Sequence, residues 1–200
     1  MNILHKATTV GLLAASLVLA AAPRPAEAAE SSDSVEVATR TFLLGCVAYV
    51  GDYTRLRDNL RPGREMFLPE LSPAQARPFL QGREGSAWAR PDAGVTLALL
   101  KADDTCIVFV RKVATDGLYR RLEGDLRASL GKSFSVRAAG EESKGPMRSR
   151  FIDLAPTGSY RDDLIRLYKT EPAGMRVILT TSETANPDLQ AIITLGARSP

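Results

Sequence analysis

The residues that could do chemistry in this chain are few. Cys46 and Cys106 are the only cysteines and lie 60 positions apart. A redox dithiol needs a Cys-x-x-Cys spacing or a setting that lowers the thiol pKa. Neither is visible, so the pair reads as a structural disulfide, with one possible pairing. In the chain-entropy picture a loop of this size stabilises by about 4 kcal/mol before native strain is subtracted. Gly85-Ser86-Ala87-Trp88 holds the single tryptophan, flanked by Arg83 and Arg90. Trp stacks on rings and cations, so Trp88, Arg83 and Arg90 are the candidate ligand-binding residues. The blander reading is a loop Trp closing over the core. Asp103-Asp104 and Asp162-Asp163 are adjacent carboxylates without the spaced ligands of a calcium loop. Turn formation, capping and solvation account for them.

Two further motifs fail on their context. Ser129-Leu130-Gly131-Lys132 matches the Ser-x-x-Lys pattern of penicillin-interacting enzymes. That serine belongs at the start of a helix. Here it falls at an expected helix end, and Ser-Asp-Asn and Lys-Thr-Gly partners are missing. Gly131-Lys132-Ser133 resembles the tail of a phosphate-binding loop. Position 126, where that motif needs its first glycine, is Leu126, and the order is helix-then-strand rather than strand-then-helix. No catalytic residue, metal ligand or cofactor is assigned.

The N-terminus narrows the chemistry further. Lys6 precedes an uncharged Ala/Leu-rich run, Ala7 to Ala22, and Ala26-Glu27-Ala28 is a small-x-small signal. This is the pattern of a cleaved secretory signal peptide over residues 1–28. The run is shorter than the roughly 20 residues of a spanning helix, so no transmembrane span is expected in the mature chain. Cleavage removes His5, the only histidine, together with Lys6, Arg24 and Glu27. The remaining 24 basic and 22 acidic residues give +2 in place of the full chain's +3. Ser-His-Asp and Cys-His catalysis and histidine-ligated metal sites all need an imidazole. A nearly neutral balance argues against a nucleic-acid partner. The basic run Arg55-Leu56-Arg57 with Arg61 and Arg64 is interleaved with Asp52, Asp58 and Glu65 and reads as a solvated face.

These residues need elements to hold them. Residues 29–33 read as a polar leader and 34–200 as one domain. A helix is expected from Ser34, capped by Asp33 with Glu36 three residues on. Its stripe is Val35, Ala38, Phe42, Cys46, Tyr49, Tyr53, Leu56 and Leu60, ending at Pro62-Gly63. Ser72-Pro73-Ala74-Gln75 carries Ser at N-cap, Pro at N1 and Gln at N3, and Pro78 should shorten that helix. Gly82 and Gly85 mark a loop. Gly94–Lys101 and Thr105–Val113 read as a hairpin around Ala102-Asp103-Asp104, with Cys106, Val108 and Val110 on one face. A helix over 117–130 follows, capped by Asp116 and stopped by Gly131, with Leu118, Leu122, Leu126 and Leu130 in line. Strands are expected at 134–137, 147–154, 175–182 and 189–195. Residues 138–145 read as a loop, Tyr160–Tyr168 as either helix or strand, and Asn186-Pro187-Asp188 as a turn. Runs of adjacent strands point to an α+β domain, a mainly antiparallel sheet with helices packed on one face. A Cys46–Cys106 bond would then pin the first helix to the central hairpin.

Cys46 on a helix, Gly85 to Trp88, Cys106 on a hairpin and the Leu118–Leu126 helix together resemble small exported proteins of Gram-negative bacteria. The resemblance covers under half the chain. It implies an envelope location and no known activity. The expected function is a non-enzymatic periplasmic or secreted binding module, with an envelope protein or cell-wall component as partner. The rival readings are a hydrolase with scattered carboxylate or Ser/Lys residues, and a carrier holding a small apolar ligand in a cavity near Trp88.

Overall fold

In the computed structural model, which describes residues 25–102, 105–182 and 189–197 with side chains from Asp33 onward, the β-rich runs join into one sheet. Its strands are β1 (Gly85–Arg90), β2 (Val95–Leu100), β3 (Thr105–Val110), β4 (Phe134–Lys144), β5 (Met147–Pro156), β6 (Met175–Ser182) and β7 (Ala191–Ala197). They lie in the order β1-β2-β3-β7-β6-β5-β4, and every pairing is antiparallel. Four antiparallel steps separate β3 from β4, so these two run in the same direction. The helix α4 (Thr115–Leu130) crosses the sheet to join them. The fold is α+β, as the run of hairpins implied.

Helices cover one face from end to end and the other only in part. Leu118, Leu122 and Leu126 of α4 are buried with Leu97, Leu99, Val108, Ile152, Val177, Leu179 and Ile193 of the sheet. The N-terminal helix α1 (Pro25–Thr41) and the short α2 (Tyr53–Asn59) complete this layer through Ala38, Tyr53 and Leu56. The helix α3 (Pro73–Leu80) lies on the opposite face, where Ala76 and Phe79 meet Ala87, Ala98, Leu100 and Phe109. Cys46 is bonded to Cys106 with a Cα–Cα separation of 5.4 Å, and both are fully buried. The bond ties the first helical layer to β3.

Several elements differ from the sequence expectation. The first helix begins at Pro25, so Asp33 lies within it rather than capping it. The stripe from Val35 to Leu60 faces the core, with Val35 and Tyr49 only partly buried, yet it is not one helix. A π-helical turn occupies Phe42–Val47, and the chain then reverses at Gly51, whose φ is +81°. Asp52 starts α2 by accepting from the Arg55 amide at 3.2 Å. The buried Tyr53 hydroxyl donates to the Cys46 carbonyl at 3.2 Å, which holds the broken helix together.

Residues 85–90 are a strand, not a loop. Gly85 is needed because a Cβ there would lie 2.4 Å from the Leu99 carbonyl oxygen, so the strand can approach β2 only without a side chain. Asp116 is not the α4 cap. Ala114 holds that position, and the Asp116 carboxylate turns to Arg150. Residues 138–144 continue β4 as an exposed sheet edge, broken by a bulge between Ala138 and Glu141 where Gly140 has φ +96°. A bulge and charged side chains are what protect an open edge from stray pairing. At the other edge, Pro69–Leu71 pairs with β1 through Leu71 N–H to Ala87 (2.8 Å) and Ala89 N–H to Pro69 (3.0 Å). The ambiguous segment at 160–168 is helical, α5 (Gly158–Tyr168). Asp103, Asp104 and the Asn186-Pro187-Asp188 turn lie outside the described residues.

Candidate functional site

The three side chains singled out around the Gly-x-x-Trp segment do not converge. Trp88 is only 4% exposed and packs in the main core opposite Leu97, as the blander reading had it. Arg83 precedes β1 and lines a small cleft of about 520 Å³ with Arg57 and Lys101. Arg90 ends β1 and lines a different, larger groove. Ser129 and Lys132 are exposed at the C-terminal end of α4. Asp162 and Asp163 are exposed on α5, 3.6 Å from Arg161 and 2.9 Å from Arg166. Among the described residues no group of three or more His, Cys, Asp or Glu is placed to hold a metal.

The groove beside Arg90 is the candidate site. It encloses about 1500 Å³ between α3, the turn after β1 and the segment that leaves β3. The α3 wall is set by local sequence. Ser72 and Gln75 close the helix start, their hydroxyl and amide oxygens 2.8 Å apart, and α3 runs for eight residues with Pro78 inside its last turn. Phe79 then meets Phe109 edge-on, with centroids 5.2 Å apart. The Arg111 guanidinium lies 5.9 Å from the centre of the Phe79 ring, a cation–π arrangement that holds it at the groove. Arg90 faces Asp92 at 3.5 Å across an exposed ion pair.

Lys112 is the unusual member. Its φ is +45°. The other described non-glycine residues with positive φ, Gln81 and Lys169, terminate α3 and α5, which is a common use of that conformation. Lys112 terminates no helix. Its conformation is imposed by its neighbours: the Arg111 amide donates to the Gly94 carbonyl at 2.9 Å, and the Val113 amide donates to Gln190 Oε1 at 2.5 Å. Gln190 is fixed in turn by its own amide on the Val110 carbonyl at 3.1 Å. Left-handed backbone in a non-glycine residue persists only where the surroundings over-determine it, and such positions concentrate at functional sites. Among the described residues, neither Arg111 nor Lys112 pairs with a carboxylate.

A second cationic cluster behaves differently. Arg150, with a side chain only 9% exposed, donates to Asp116 and lies 4.9 Å over the Tyr119 ring. Arg148 donates to Glu141 at 2.6 and 3.0 Å and lies 4.0 Å from Asp116. Two cations meet two carboxylates, so the charges of these four residues balance. The hydrogen bond and charge of Arg150 hold the Asp116 carboxyl below the usual range, while burial pushes the Tyr119 phenol up. This arrangement clasps the start of α4 to the β4–β5 hairpin.

No family model, curated protein or solved structure matches the chain.

The groove's own geometry therefore carries the functional reading. Among the described residues its one rim carboxylate, Asp92, faces Arg90, and the groove presents cations and aromatic surface. The sequence reading reached Arg90 but missed Phe79, Arg111 and Lys112. Arg111-Lys112 directly after an apolar run was the available signal, and it was absorbed into the expected strand.

Proposed function

We propose that the protein is exported after loss of residues 1–28 and serves as a non-enzymatic binding module of the cell envelope, periplasmic or secreted, with the α3 groove as its binding place. The observation that carries this reading is the groove itself. Arg90, Arg111 and Lys112 line it together with Phe79 and Phe109, and among the described residues Asp92 is its one acidic side chain. Interaction sites are typically concave, partly apolar and furnished with a few placed polar groups. The disulfide supports export, because such bonds persist in oxidising compartments. Cleavage after Ala28 would start the mature chain inside α1, leaving Ala29–Thr41 of that helix.

Two measurements test this. N-terminal sequencing of protein recovered from the envelope fraction should begin near Ala29; a retained Met1 in that material overturns the export reading. A photo-crosslinking residue in place of Asp92 should trap an envelope protein or cell-wall component in intact cells. Labelling no stronger than from the same residue at Asp163 on α5 overturns the groove as the binding place.

A further inference from the structure

Resting on that reading, we infer that the groove accepts an extended polypeptide segment that carries carboxylate side chains beside an aromatic or aliphatic one. Three features select this occupant. The first is charge. Among the described residues the rim carries three cations against one carboxylate, and two of the three have no carboxylate partner there. An unpaired guanidinium offers a planar fork suited to a carboxylate. Arg111 is already positioned by Phe79, so it loses less freedom on binding.

The second feature is size. About 1500 Å³ is larger than the roughly 300–1,000 Å³ of a pocket that closes around one small molecule. The third is lining. The lining combines the amide side chains of Gln75 and Gln190 with the apolar Phe79 and Leu189. Amides match the backbone groups of a peptide, whereas an acyl chain calls for an unbroken apolar wall. Lys112 fits the same picture. Its left-handed backbone, anchored through Arg111 and Val113, sets a cation at the groove rather than leaving it on a free loop.

The test is selection of a random dodecapeptide display library on the disulfide-intact protein. Selected peptides should be enriched in Asp or Glu adjacent to Phe, Tyr, Leu or Trp. The best of them, labelled for fluorescence anisotropy, should bind more weakly as salt rises. Charge reversal at either groove cation, Lys112→Glu or Arg111→Glu, should weaken it by at least about tenfold, as loss and inversion of a rim charge predict. Arg166→Glu on α5 should leave it unchanged. Vesicles containing an anionic phospholipid serve as the competing arm. The inference is overturned if no acidic enrichment emerges, if both groove variants bind as the parent does, or if only the vesicles bind. Each variant is checked for an unchanged unfolding curve, and Lys112→Met, which is neutral and similar in length, supplies a second reading if the glutamate variants are unstable. Failure here leaves the export reading standing, because that reading is decided by the N-terminus of the mature chain. A retained Met1 would leave the peptide result standing.

Discussion

The two halves of the sheet are built on different terms. Across β1–β3, every residue of β2 is buried, and five of six in β3. α1 and α2 lie on one side and α3 on the other, so both faces of these strands are interior. Across β5–β7, burial alternates residue by residue. There Leu154, Val177 and Ile193 point to the α4 core, and Phe151, Ile178 and Thr194 are partly exposed. Continuous apolar runs belong to strands buried on both faces, and alternation to strands buried on one. The same division holds for charge. In the singly covered half the arginines are matched: Arg176 donates to Asp153 at 2.7 and 3.1 Å, and Arg148 and Arg150 share Asp116 and Glu141. At the end of the doubly covered half, Arg111 and Lys112 have no carboxylate partner among the described residues. Among those residues Arg137 on β4 likewise meets only the Ser135 hydroxyl, so what sets Arg111 and Lys112 apart is their place at the groove beside Phe79.

The largest effect that would sharpen this contrast is on the disulfide. Replacing both Cys46 and Cys106 with alanine should lower unfolding free energy by about 4 kcal/mol, read from urea denaturation. Reductant should bring the parent protein toward the double variant and leave that variant unmoved. Next comes a matched pair of core deletions. Leu99→Ala, in the fully buried half, should cost about 3 kcal/mol. Ile178→Ala, on the half-exposed face, should cost about 1 kcal/mol, since less apolar area leaves water there. Equal losses would break the distinction between the halves.

Arg150→Met should cost less than Leu99→Ala, because the methionine keeps packing on Tyr119 while the ion pairs are lost. Its signature is in the pH dependence. The Asp116 carboxyl is held below its ordinary value of 3.8 in the folded state, so its contribution is complete above that value. It fades as pH falls through the lower folded value. The stability gap between parent and Arg150→Met should therefore narrow in strong acid. A gap that stayed constant to the lowest pH would remove the clasp from the account. The smallest effect is at Lys112. Glycine tolerates positive φ, so Lys112→Gly should hold or raise stability by at most about 1 kcal/mol while weakening peptide binding. A clear loss of stability would mean that the lysine side chain packs structurally.

Much of the fold was legible because burial leaves a periodic imprint. The Leu118–Leu126 line, the capping box at Ser72 and the strand at 175–182 all follow from local spacing and local chemistry. What was missed depends on distant partners. The break in the first helix was hidden because its stripe stays in phase across the turn at Gly51. The Gly85 strand looked like a loop, since the reason for its glycine is a carbonyl on β2. The outer part of β4 looked like a loop because an exposed edge strand needs polar residues. In the site, Arg90 was visible as a cation beside the tryptophan. Trp88 itself faces the core, since its position on β1 places it opposite Leu97.

By itself the sequence determined the cysteine pairing, the α+β class and the loss of the only histidine if the leader is cleaved. Each follows from counts or from short-range periodicity, which no folding partner can alter. Tertiary structure alone decided which cations are neutralised and which are left open. Pairing of polar groups depends on distances between residues far apart in the chain, such as Asp116 with Arg150 or Gln190 with Val113. Those distances exist only after α4 crosses the sheet and β7 enters between β3 and β6.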